Sequence, residues 1–431
     1  MVAILQLATV RHFITLKGEV SKMSNKEGLQ FFLVGGAVRD SVIGKVPKDR
    51  DFVVVGATAE EMVERGFQAI DAGFPVFLDE NGDEFALARK EQKVGRGHKG
   101  FEVFSDETVT LEEDLIRRDF TMNAMAMDND GEIIDPFDGQ TDLKNGIVRH
   151  VSDAFSEDPL RVLRLARFTA RFDFEVAEET IELSKDIVDE LTEIPEERIF
   201  TEFRKAMKQA SNPRKFFEVL EEVGAFEVVM PEIKDMTSIL AGPKEFHRDR
   251  TVFQHCVDTV DEMFKIRGND EIALMSAFFH DVGKTTTDDD MLPHHHGHDT
   301  AGVKVFEEIS DRLKFTNGHG RIIRTVIENH MKIGHFNEMR DSKKIKFVET
   351  MDKVEDGMFE LLTDVLVADT RATANLEDVD TTEILETASV VRGVIDDIRG
   401  DVVVERFPHL EGRQIHDQLT HMRTVEFRER Q

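Results

Sequence analysis

Two short apolar runs on either side of a double glycine constrain the start of the fold more than any other feature. The stretch FFLVGGAVRDSVIGKVPKDRDFVVVG spans residues 31–56, and its runs FFLV and FVVV have the length and composition of buried strands. Because side chains alternate along a strand, Asp49 and Asp51 are predicted to lie on one face of it. Two such carboxylates can hold divalent metals, and Gly35-Gly36 lets backbone N–H groups approach a phosphate. For the D-x-D pair alone, a solvated strand face beside an ordinary turn is the alternative.

The apolar periodicity changes near residue 150. Before it, FFLVGG, DFVVVG, EFALARK and GEIIDPF predict strands and TAEEMVERGF predicts a helix, so residues 29–150 are expected to form an α/β or α+β domain. After it, DPLRVLRLARFTARF, EETIELSKDIVDEL, ERIFTEFRKAMKQA and PRKFFEVLEEVGAF place apolar residues three and four apart, which predicts helices. The sequence therefore predicts an α+β head followed by all-α regions.

Composition excludes several classes of protein. The net charge of -31 excludes a protein that coats nucleic acid with its whole surface, although it allows a local basic groove. No apolar run reaches the roughly 18 residues of a membrane span. The single cysteine, Cys256, excludes an intrachain disulfide and suits a reducing cytoplasm. The presence of 33 Phe without any Tyr or Trp indicates that both were replaced, mostly by Phe; an unusual natural composition is the alternative.

Arginines cluster in two neighbouring stretches. LEEDLIRRDFTMNAMA places Arg117 and Arg118 beside Asp119, which suits sugar and phosphate recognition or a salt-bridged turn. In SEDPLRVLRLARFTARF, Ser156 as N-cap and Pro159 in the first turn predict the start of a helix. The arginines of this helix recur every three or four residues as one basic stripe: Arg161, Arg164, Arg167 and Arg171. Such a stripe is usually solvated, but on an acidic chain it favours an anionic ligand.

A histidine–aspartate constellation forms a second candidate site. EIALMSAFFHDVGKTTT predicts a buried helix whose end carries His280 and Asp281, and His255 lies upstream in VFQHCVDTV. The run HHHGH at residues 294–298 and a later Asp369 complete an H…HD…D spacing. Imidazoles and carboxylates at the end of a buried helix suit a metal that activates water for phosphoester hydrolysis. For the triple histidine at residues 294–296, a solvated loop is the alternative.

These blocks resemble a known family. LVGGAVRD, KDRDFVVVG, RRDFTMNAMA and EDPLRVLRLARF are similar to signature blocks of class II tRNA nucleotidyltransferases, the CCA-adding enzymes, in the DNA polymerase β superfamily. PHHHGHDTAGVK and the H…HD…D spacing resemble the HD phosphohydrolase superfamily and the bacterial multifunctional CCA enzymes. The resemblance implies an α+β fold with a polymerase β-like head (mixed sheet with helices), followed by an all-α neck, an HD region and a C-terminal region. The implied boundaries are 1–28 for a disordered extension, 29–150 for the head, 151–235 for the neck, 236–345 for the HD domain and 346–431 for a C-terminal part with a tRNA-binding tail.

The resemblance also implies roles in nucleotidyl transfer. Asp49 and Asp51 are expected to hold catalytic Mg²⁺ while a tRNA 3′-hydroxyl attacks the α-phosphate of CTP or ATP. Asp158 and Arg161 are expected to select the base through its Watson–Crick edge, because CTP and ATP both offer an exocyclic amine. The further nucleotide contacts would be Gly36, Arg39, Arg118, Arg164 and Arg167. The candidates for a third metal carboxylate are Glu84 and Asp114.

In the HD domain, the resemblance implies a divalent transition metal such as Ni²⁺, or Mg²⁺. The expected ligands are His255, His280, Asp281 and Asp369, with His330 as a further candidate. This site would hydrolyse 2′,3′-cyclic phosphates, 2′-nucleotides and phosphomonoesters. We expect tRNA, CTP and ATP, and no membrane, as partners of a cytoplasmic monomer or homodimer. The alternatives are a bacterial poly(A) polymerase and a folded RNA-binding variant with impaired catalysis.

Overall fold

A computed structural model describes residues 29–47, 49–71, 75–93, 101–373 and 379–431. The chain divides into two units. The first reaches Arg198 and includes Glu218–Val228, and the second comprises Ile199–Phe217 and Val229–Gln431. The predicted extension at 1–28 lies outside the described residues. Within the described ranges, no helix is long and apolar enough to cross a membrane.

A mixed sheet organises the first unit. Its strands are β1 (Gln30–Val34), β2 (Asp51–Val55), β3 (Gln68–Asp71), β4 (Pro75–Leu78), β5 (Glu84–Leu87), β6 (Lys90–Lys93), β7 (Phe101–Phe104), β8 (Ala126–Met127), β9 (Ile133–Ile134), β10 (Ile147–Val148) and β11 (Glu175–Val176). The main sheet has the order β3-β4-β5-β2-β1-β8-β9, in which β2 and β5 are parallel and the other neighbours antiparallel. The four predicted strands correspond to β1, β2, β5 and β9.

The register of β1 explains the spacing between the double glycine and the aspartates. Val34, the last residue of β1, pairs with Asp51, the first residue of β2. Gly35 then turns the chain with a φ of 64°, a left-handed conformation that favours glycine. Because β1 ends there, Asp49 has no strand partner and lies in the bend before β2. The prediction that one strand carries both aspartates is therefore wrong.

Phenylalanine fills the buried side of the head sheet. Phe52 stacks on Phe85 with ring centroids 4.7 Å apart, while Phe31 and Phe67 meet Phe85 at 5.9 and 4.9 Å in edge-on arrangements. All four side chains are buried. A core cluster of this kind needs neither a hydroxyl nor an indole N–H, because no polar partner has to be satisfied inside it. This part of the core is therefore compatible with a chain that lacks Tyr and Trp.

Helices lie between the strands of the head, and after β11 the described elements are all helices, as the sequence predicts. They are α1 (Gly36–Val42), α2 (Ala59–Glu64), α3 (Leu111–Leu115), α4 (Gly139–Asn145), α5 (Leu160–Phe172), α6 (Glu178–Ile187), α7 (Glu196–Gln209), α8 (Arg214–Glu222), α9 (Ala225–Val229), α10 (Pro231–Met236), α11 (Lys244–His247), α12 (Val252–Arg267), α13 (Glu271–Phe279), α14 (His298–Arg312), α15 (Asn317–Gly334), α16 (Asp341–Val354), α17 (Met358–Ala372), α18 (Thr382–Asp397), α19 (Gly400–Arg406) and α20 (Arg413–Arg430). One predicted helix start is wrong. Ser156 lies in a 3₁₀ turn, and the backbone N–H of Leu160 is instead capped by Asp158 Oδ1 at 3.1 Å.

A close backbone approach shapes the second unit. α13 is apolar and buried from Ala273 to Phe279, and α12 packs against both α13 and α17. After α13, a Cβ on Gly283 would lie 2.0 Å from the carbonyl oxygen of His298 and 2.4 Å from the backbone nitrogen of Gly302. Glycine is therefore required where the chain after α13 meets α14. This contact brings the start of α14 to the end of α13.

Candidate active sites

The carboxylates of the first site gather where central strands of the head sheet meet. Val34 pairs with Asp51, and Asp51 pairs in turn with Glu84 of the parallel strand β5. Arg118 reaches the same place, since a Cβ on Gly35 would lie 3.1 Å from one of its guanidinium nitrogens. The glycine turn, an aspartate, a glutamate and an arginine therefore share one part of the sheet.

The charges around Asp51 favour a cation. Asp49 and Asp51 are exposed. The protein around Asp51 nevertheless displaces enough water to raise the pKa of its carboxyl, and the carboxylates of Glu84 and Asp49 raise it further. Arg118 opposes them and lowers that pKa. Carboxylates that repel one another fit a divalent cation with hard oxygen ligands, such as Mg²⁺.

The two candidates for a third metal carboxylate have different surroundings. Glu84 neighbours Asp51, whereas Asp114 is buried and accepts hydrogen bonds from Arg117 at 2.8 Å and from Arg118 at 3.0 Å. Burial would raise the pKa of Asp114, but the two arginines lower it. The geometry favours Glu84 as the metal ligand and Asp114 as the anchor of the arginines.

A chain of hydrogen bonds joins two of the predicted nucleotide-binding arginines. Arg39 donates to Oδ1 of Asn123 at 2.6 Å, and the Asn123 amide donates to Oδ1 of Asp119 at 2.9 Å. Nε of Arg164 donates to the other oxygen of Asp119, also at 2.9 Å. Burial would raise the pKa of Asp119, but Arg164 and Asn123 lower it to about 2. An ionised Asp119 therefore holds Arg164 directly and Arg39 through Asn123.

The arginine stripe on α5 is not a solvated face. Arg161 and Arg167 are buried. Arg161 donates to the carbonyl oxygens of Ala154 at 2.6 Å and Arg117 at 2.7 Å. The guanidinium of Arg167 lies 4.3 Å from the centroid of the Phe168 ring. α5 thus holds its arginines in fixed positions rather than extending them into water.

Three elements of the second unit bring the second site together. Thr251 and Gln254 form a capping box at the start of α12, which places His255 in its first turn. His280 and Asp281 follow α13, and Asp369 lies on α17. The four predicted ligands therefore come from helices that pack against one another.

The ligand atoms of these four side chains converge. Nε2 of His255 lies 2.9 Å from Oδ1 of Asp369 and 3.5 Å from Oδ2 of Asp281. Nε2 of His280 lies 3.3 Å from Oδ2 of Asp281 and 3.7 Å from Oδ1 of Asp369. Atoms that bind one metal at about 2.1 Å stand about 3.0–3.4 Å apart. The spacing is that of a coordination sphere.

In three histidines of the second site, a hydrogen bond to a backbone carbonyl determines which ring nitrogen is free to bind a metal. Nδ1 of His280, His298 and His330 donates to the carbonyl oxygen three residues earlier, at 2.8, 2.7 and 2.8 Å respectively. Since a carbonyl only accepts, each Nδ1 carries its proton and Nε2 is left for the centre. Among the described residues, Nε2 of His255 and Nε2 of His280 have only the carboxylate contacts given above, which lack hydrogen-bond geometry, and Nδ1 of His255 is buried without a partner. A buried unsatisfied polar group costs about 1–3 kcal/mol, so this donor set fits a bound cation.

Asp281 connects these ligands to a second group. Its Oδ1 lies 3.0 Å from Nε2 of His298 and 3.5 Å from Nε2 of His330, while Oδ2 faces His255 and His280. The described residues therefore offer two possible metal positions: His255, His280 and Asp281; and Asp281, His298 and His330. His330 was a predicted further candidate, whereas His298 was missed as an individual ligand. In the sequence, the one indication that His298 could bind a metal is its place in HHHGH, residues 294–298.

The charges in the second site suit metal binding. Lys284 Nζ lies 2.6 Å from Oδ2 of Asp281. Burial would raise the pKa of Asp281, but Lys284 and His280 hold it well below its usual value. Burial would also raise the pKa of Asp369, which His255 and His280 hold well below its usual value. Burial lowers the pKa of His280, yet Asp281 raises it well above its usual value, so a metal bound here displaces a proton.

The histidine run has two kinds of member. His295 and His298 are buried, whereas His294 and His296 are exposed. Nε2 of His295 donates to the carbonyl oxygen of Leu240 at 2.8 Å, which is a structural contact. The alternative of a solvated loop therefore fits His294 and His296 of the triple histidine but not His295.

Three protein families match the chain in order. The Poly A polymerase head domain matches residues 31–149 and the probable RNA and SrmB-binding site of polymerase A matches 173–237. The HD domain matches 251–357 and so contains His255, His280 and Asp281. Asp369 lies beyond that match, but the packing of α12 and α17 brings it to the site.

Curated relatives decide the family. A multifunctional CCA protein of Neisseria meningitidis serogroup B is 42% identical over 353 residues, which cover 81% of this chain and 84% of the relative. The chain belongs to the multifunctional CCA protein family. A member from Mannheimia succiniciproducens is 38% identical over 408 residues, covering 92% of this chain and 96% of the relative. The predicted family is confirmed.

Solved structures share the fold of this CCA family member. A CCA-adding enzyme in complex with ATP is similar with a TM-score of 0.63 at 21% identity, covering 96% of this chain and 89% of that one. A Thermotoga maritima CCA-adding enzyme complexed with tRNA has a TM-score of 0.64 at 20% identity, covering 96% and 90%. At this identity the likeness establishes the fold and confirms the predicted polymerase head with helical regions.

Proposed function

We propose that this protein adds CCA to the 3′ end of tRNA, using CTP and ATP without a nucleic-acid template. The observation that carries the proposal is the register of the head sheet, which puts the glycine turn, Asp51 and Glu84 at one place. The names of its relatives and the CTP, ATP and tRNA complexes of its structural neighbours support the choice of substrates.

In this reaction, Asp49, Asp51 and Glu84 would hold Mg²⁺. When bound, the ions neutralise charge on the triphosphate and lower the pKa of the attacking 3′-hydroxyl. The backbone of Gly36 and the guanidinium of Arg118 bind phosphate oxygens. The remaining nucleotide contacts come from Arg39, from Asp158 just before α5, and from three arginines of α5: Arg161, Arg164 and Arg167.

The test uses a tRNA that lacks its CCA end, incubated with CTP, ATP and Mg²⁺ and then sequenced at its 3′ end. We expect addition of C, C and A by the wild type and none by Asp49→Ala. Runs of A beyond the CCA length would instead identify a poly(A) polymerase.

We further propose that the HD site hydrolyses 2′,3′-cyclic phosphates, 2′-nucleotides and phosphomonoesters. Its support is the convergent set of His255, His280, Asp281 and Asp369, which fits a divalent cation such as Ni²⁺ or Mg²⁺. The bound ion supplies an activated water. We expect Asp281→Ala to abolish hydrolysis of 2′,3′-cyclic AMP and to retain CCA addition, with Asp49→Ala doing the reverse. Loss of both activities in either folded variant would contradict two separate sites.

The domain division that accompanies this function is a head at 29–150, a neck at 151–235, an HD domain at 236–345 and a C-terminal part from 346 that supplies Asp369 and a tRNA-binding tail. The family match at 31–149 supports the head, whereas the match at 251–357 begins inside the proposed HD domain and extends past residue 345. We also propose that the protein works in the cytoplasm, where its tRNA substrate is processed, as a monomer or homodimer.

A further inference from the structure

A short segment before α12 carries a histidine that neither metal group uses. The segment runs from Gly242 to Arg250 and contains α11 with His247 at its end. The ring of His247 stands edge-on to the ring of His255, with centroids 5.1 Å apart. His247 belongs to neither group of possible metal ligands among the described residues. It is therefore a neighbour of the metal centre with no assigned role.

The segment is closed and tied to the centre. The backbone N–H of Ala241 donates to the carbonyl oxygen of Arg250 at 2.9 Å, which closes its two ends. Lys284 donates to the carbonyl oxygen of Ala241 at 2.8 Å while its Nζ contacts Asp281. Arg250 also pairs with Asp258 of α12. These bonds fix His247 relative to the metal-binding carboxylate.

Glycine at position 242 is required by the position of His247. A Cβ there would lie 2.5 Å from Cδ2 and 2.8 Å from Nε2 of the imidazole. The ring is thus packed directly onto the backbone of Gly242. Its Nδ1 is buried without a hydrogen-bond partner among the described residues, which normally destabilises a fold unless a ligand or water satisfies the group.

We propose that His247 is a substrate-binding residue of the HD centre, where its imidazole hydrogen-bonds a phosphate oxygen of the ribose phosphate that is hydrolysed. The proposal rests on the proposed hydrolase function and adds a residue that contacts the substrate without binding the metal. The surroundings suit an anion, because the Lys284 ammonium contacts Asp281 of the same centre and a bound cation would add positive charge.

Calorimetric titration of inorganic phosphate into Mn²⁺-loaded full-length protein tests this contact directly. We expect His247→Asn to weaken phosphate binding at least tenfold and to slow hydrolysis of 2′,3′-cyclic AMP about 100-fold. Its Mn²⁺ affinity and its CCA addition should equal those of the wild type. His296→Asn, an exposed histidine of the same unit, is the matched control and should change neither quantity.

Gly242→Ala provides a second route to the same residue, since it displaces the imidazole without removing it. We expect it to weaken phosphate binding as His247→Asn does, and the double variant to be no worse than His247→Asn alone. Unchanged phosphate binding in His247→Asn, or an equal loss in His296→Asn, would overturn the proposal. Parallel loss of Mn²⁺ would overturn it too, because it would make His247 a metal ligand. If the wild type bound phosphate through His247 but hydrolysed no phosphoester, the hydrolase function would fail and the contact would stand.

Discussion

The HD centre and the head site hold their carboxylates in opposite ways. In the HD centre, His255, His280 and Asp281 are 1%, 0% and 3% exposed, and their ligand atoms lie within 4.8 Å of one another. In the head, Asp49 and Asp51 are exposed and belong to no such group among the described residues. Mg²⁺ commonly binds through one or two carboxylates together with substrate phosphates. The difference indicates that the folded chain assembles the HD centre, whereas the nucleotide completes the head site.

The largest expected effect follows from removing the carboxylate that both metal groups share. Asp281→Ala leaves Lys284 and the surrounding histidines without their buried counter-charge, which should destabilise the fold by about 3–5 kcal/mol. Hydrolysis should fall by more than the roughly 100-fold typical of losing an outer-sphere partner. Urea unfolding measures the loss of stability, and an assay of 2′,3′-cyclic AMP hydrolysis measures the loss of activity. Asp290→Asn, an exposed carboxylate of the same unit, is the control. If Asp281→Ala were as stable as the wild type, the carboxylate of the HD centre would not contribute to folding. The proposed difference between the HD centre and the head site would then be wrong.

A smaller effect is expected from disturbing the backbone approach behind the HD centre. Gly283→Ala introduces a methyl group 2.0 Å from the carbonyl oxygen of His298, so α14 must move. We expect a loss of about 3 kcal/mol in the free energy of unfolding and a matching loss of Mn²⁺ affinity. Gly400→Ala, where a Cβ meets nothing within 4 Å, should cost little. Equal effects of the two substitutions would show that the close approach is unimportant.

In the head, Asp119→Asn should lower the free energy of unfolding by about 2 kcal/mol at pH 7. The reason is that the pKa of Asp119 lies near 2 instead of its ordinary 3.8. A lowered carboxyl pKa stabilises the fold fully above the unfolded value. That contribution disappears as the pH falls from about 4 towards 2. The stability difference between variant and wild type should therefore be complete at pH 7 and narrow below pH 4 in urea titrations. A difference that grew on acidification would contradict the role of the Arg164–Asp119 pair.

The fold and the sites differ in how far the sequence predicted them. Strands β1 and β2 and the buried helix α13 follow from local apolar patterns, and the structure brings together the four predicted ligands: His255, His280, Asp281 and Asp369. The place of Asp49 outside β2 depends on where β1 ends, which is a property of strand register rather than of local alternation.

Other features depend on contacts that are distant in the chain. His298 reaches Asp281 because Gly283 admits the start of α14, and no single stretch of sequence contains both halves of that contact. Likewise, the sequence shows that Asp119 and Asn123 lie in one short polar stretch. It does not show that they link Arg39 to Arg164 by hydrogen bonds, because that link requires the packing of α5.

The smallest expected effect on stability has the opposite sign. Because the pKa of Asp51 is raised, its ionised form opposes folding above that pKa, so Asp51→Asn should leave Tm unchanged or slightly higher at pH 7. The difference should vanish near pH 3, where the carboxyl is protonated in both states. Nucleotidyl transfer should nevertheless be lost. A lower Tm at pH 7 would show that the head carboxylates stabilise the fold as those of the HD centre do.

Mn²⁺ binding followed by electron paramagnetic resonance tests most directly whether one site is assembled by the chain and the other by its nucleotide. Without nucleotide, wild type and Asp49→Ala should bind Mn²⁺ equally, and Asp281→Ala should lose that binding. Added CTP should create further bound Mn²⁺ in wild type and Asp281→Ala but not in Asp49→Ala, after subtraction of the ion bound by CTP alone. Loss of the nucleotide-free binding in Asp49→Ala, or its survival in Asp281→Ala, would contradict this division between the two sites.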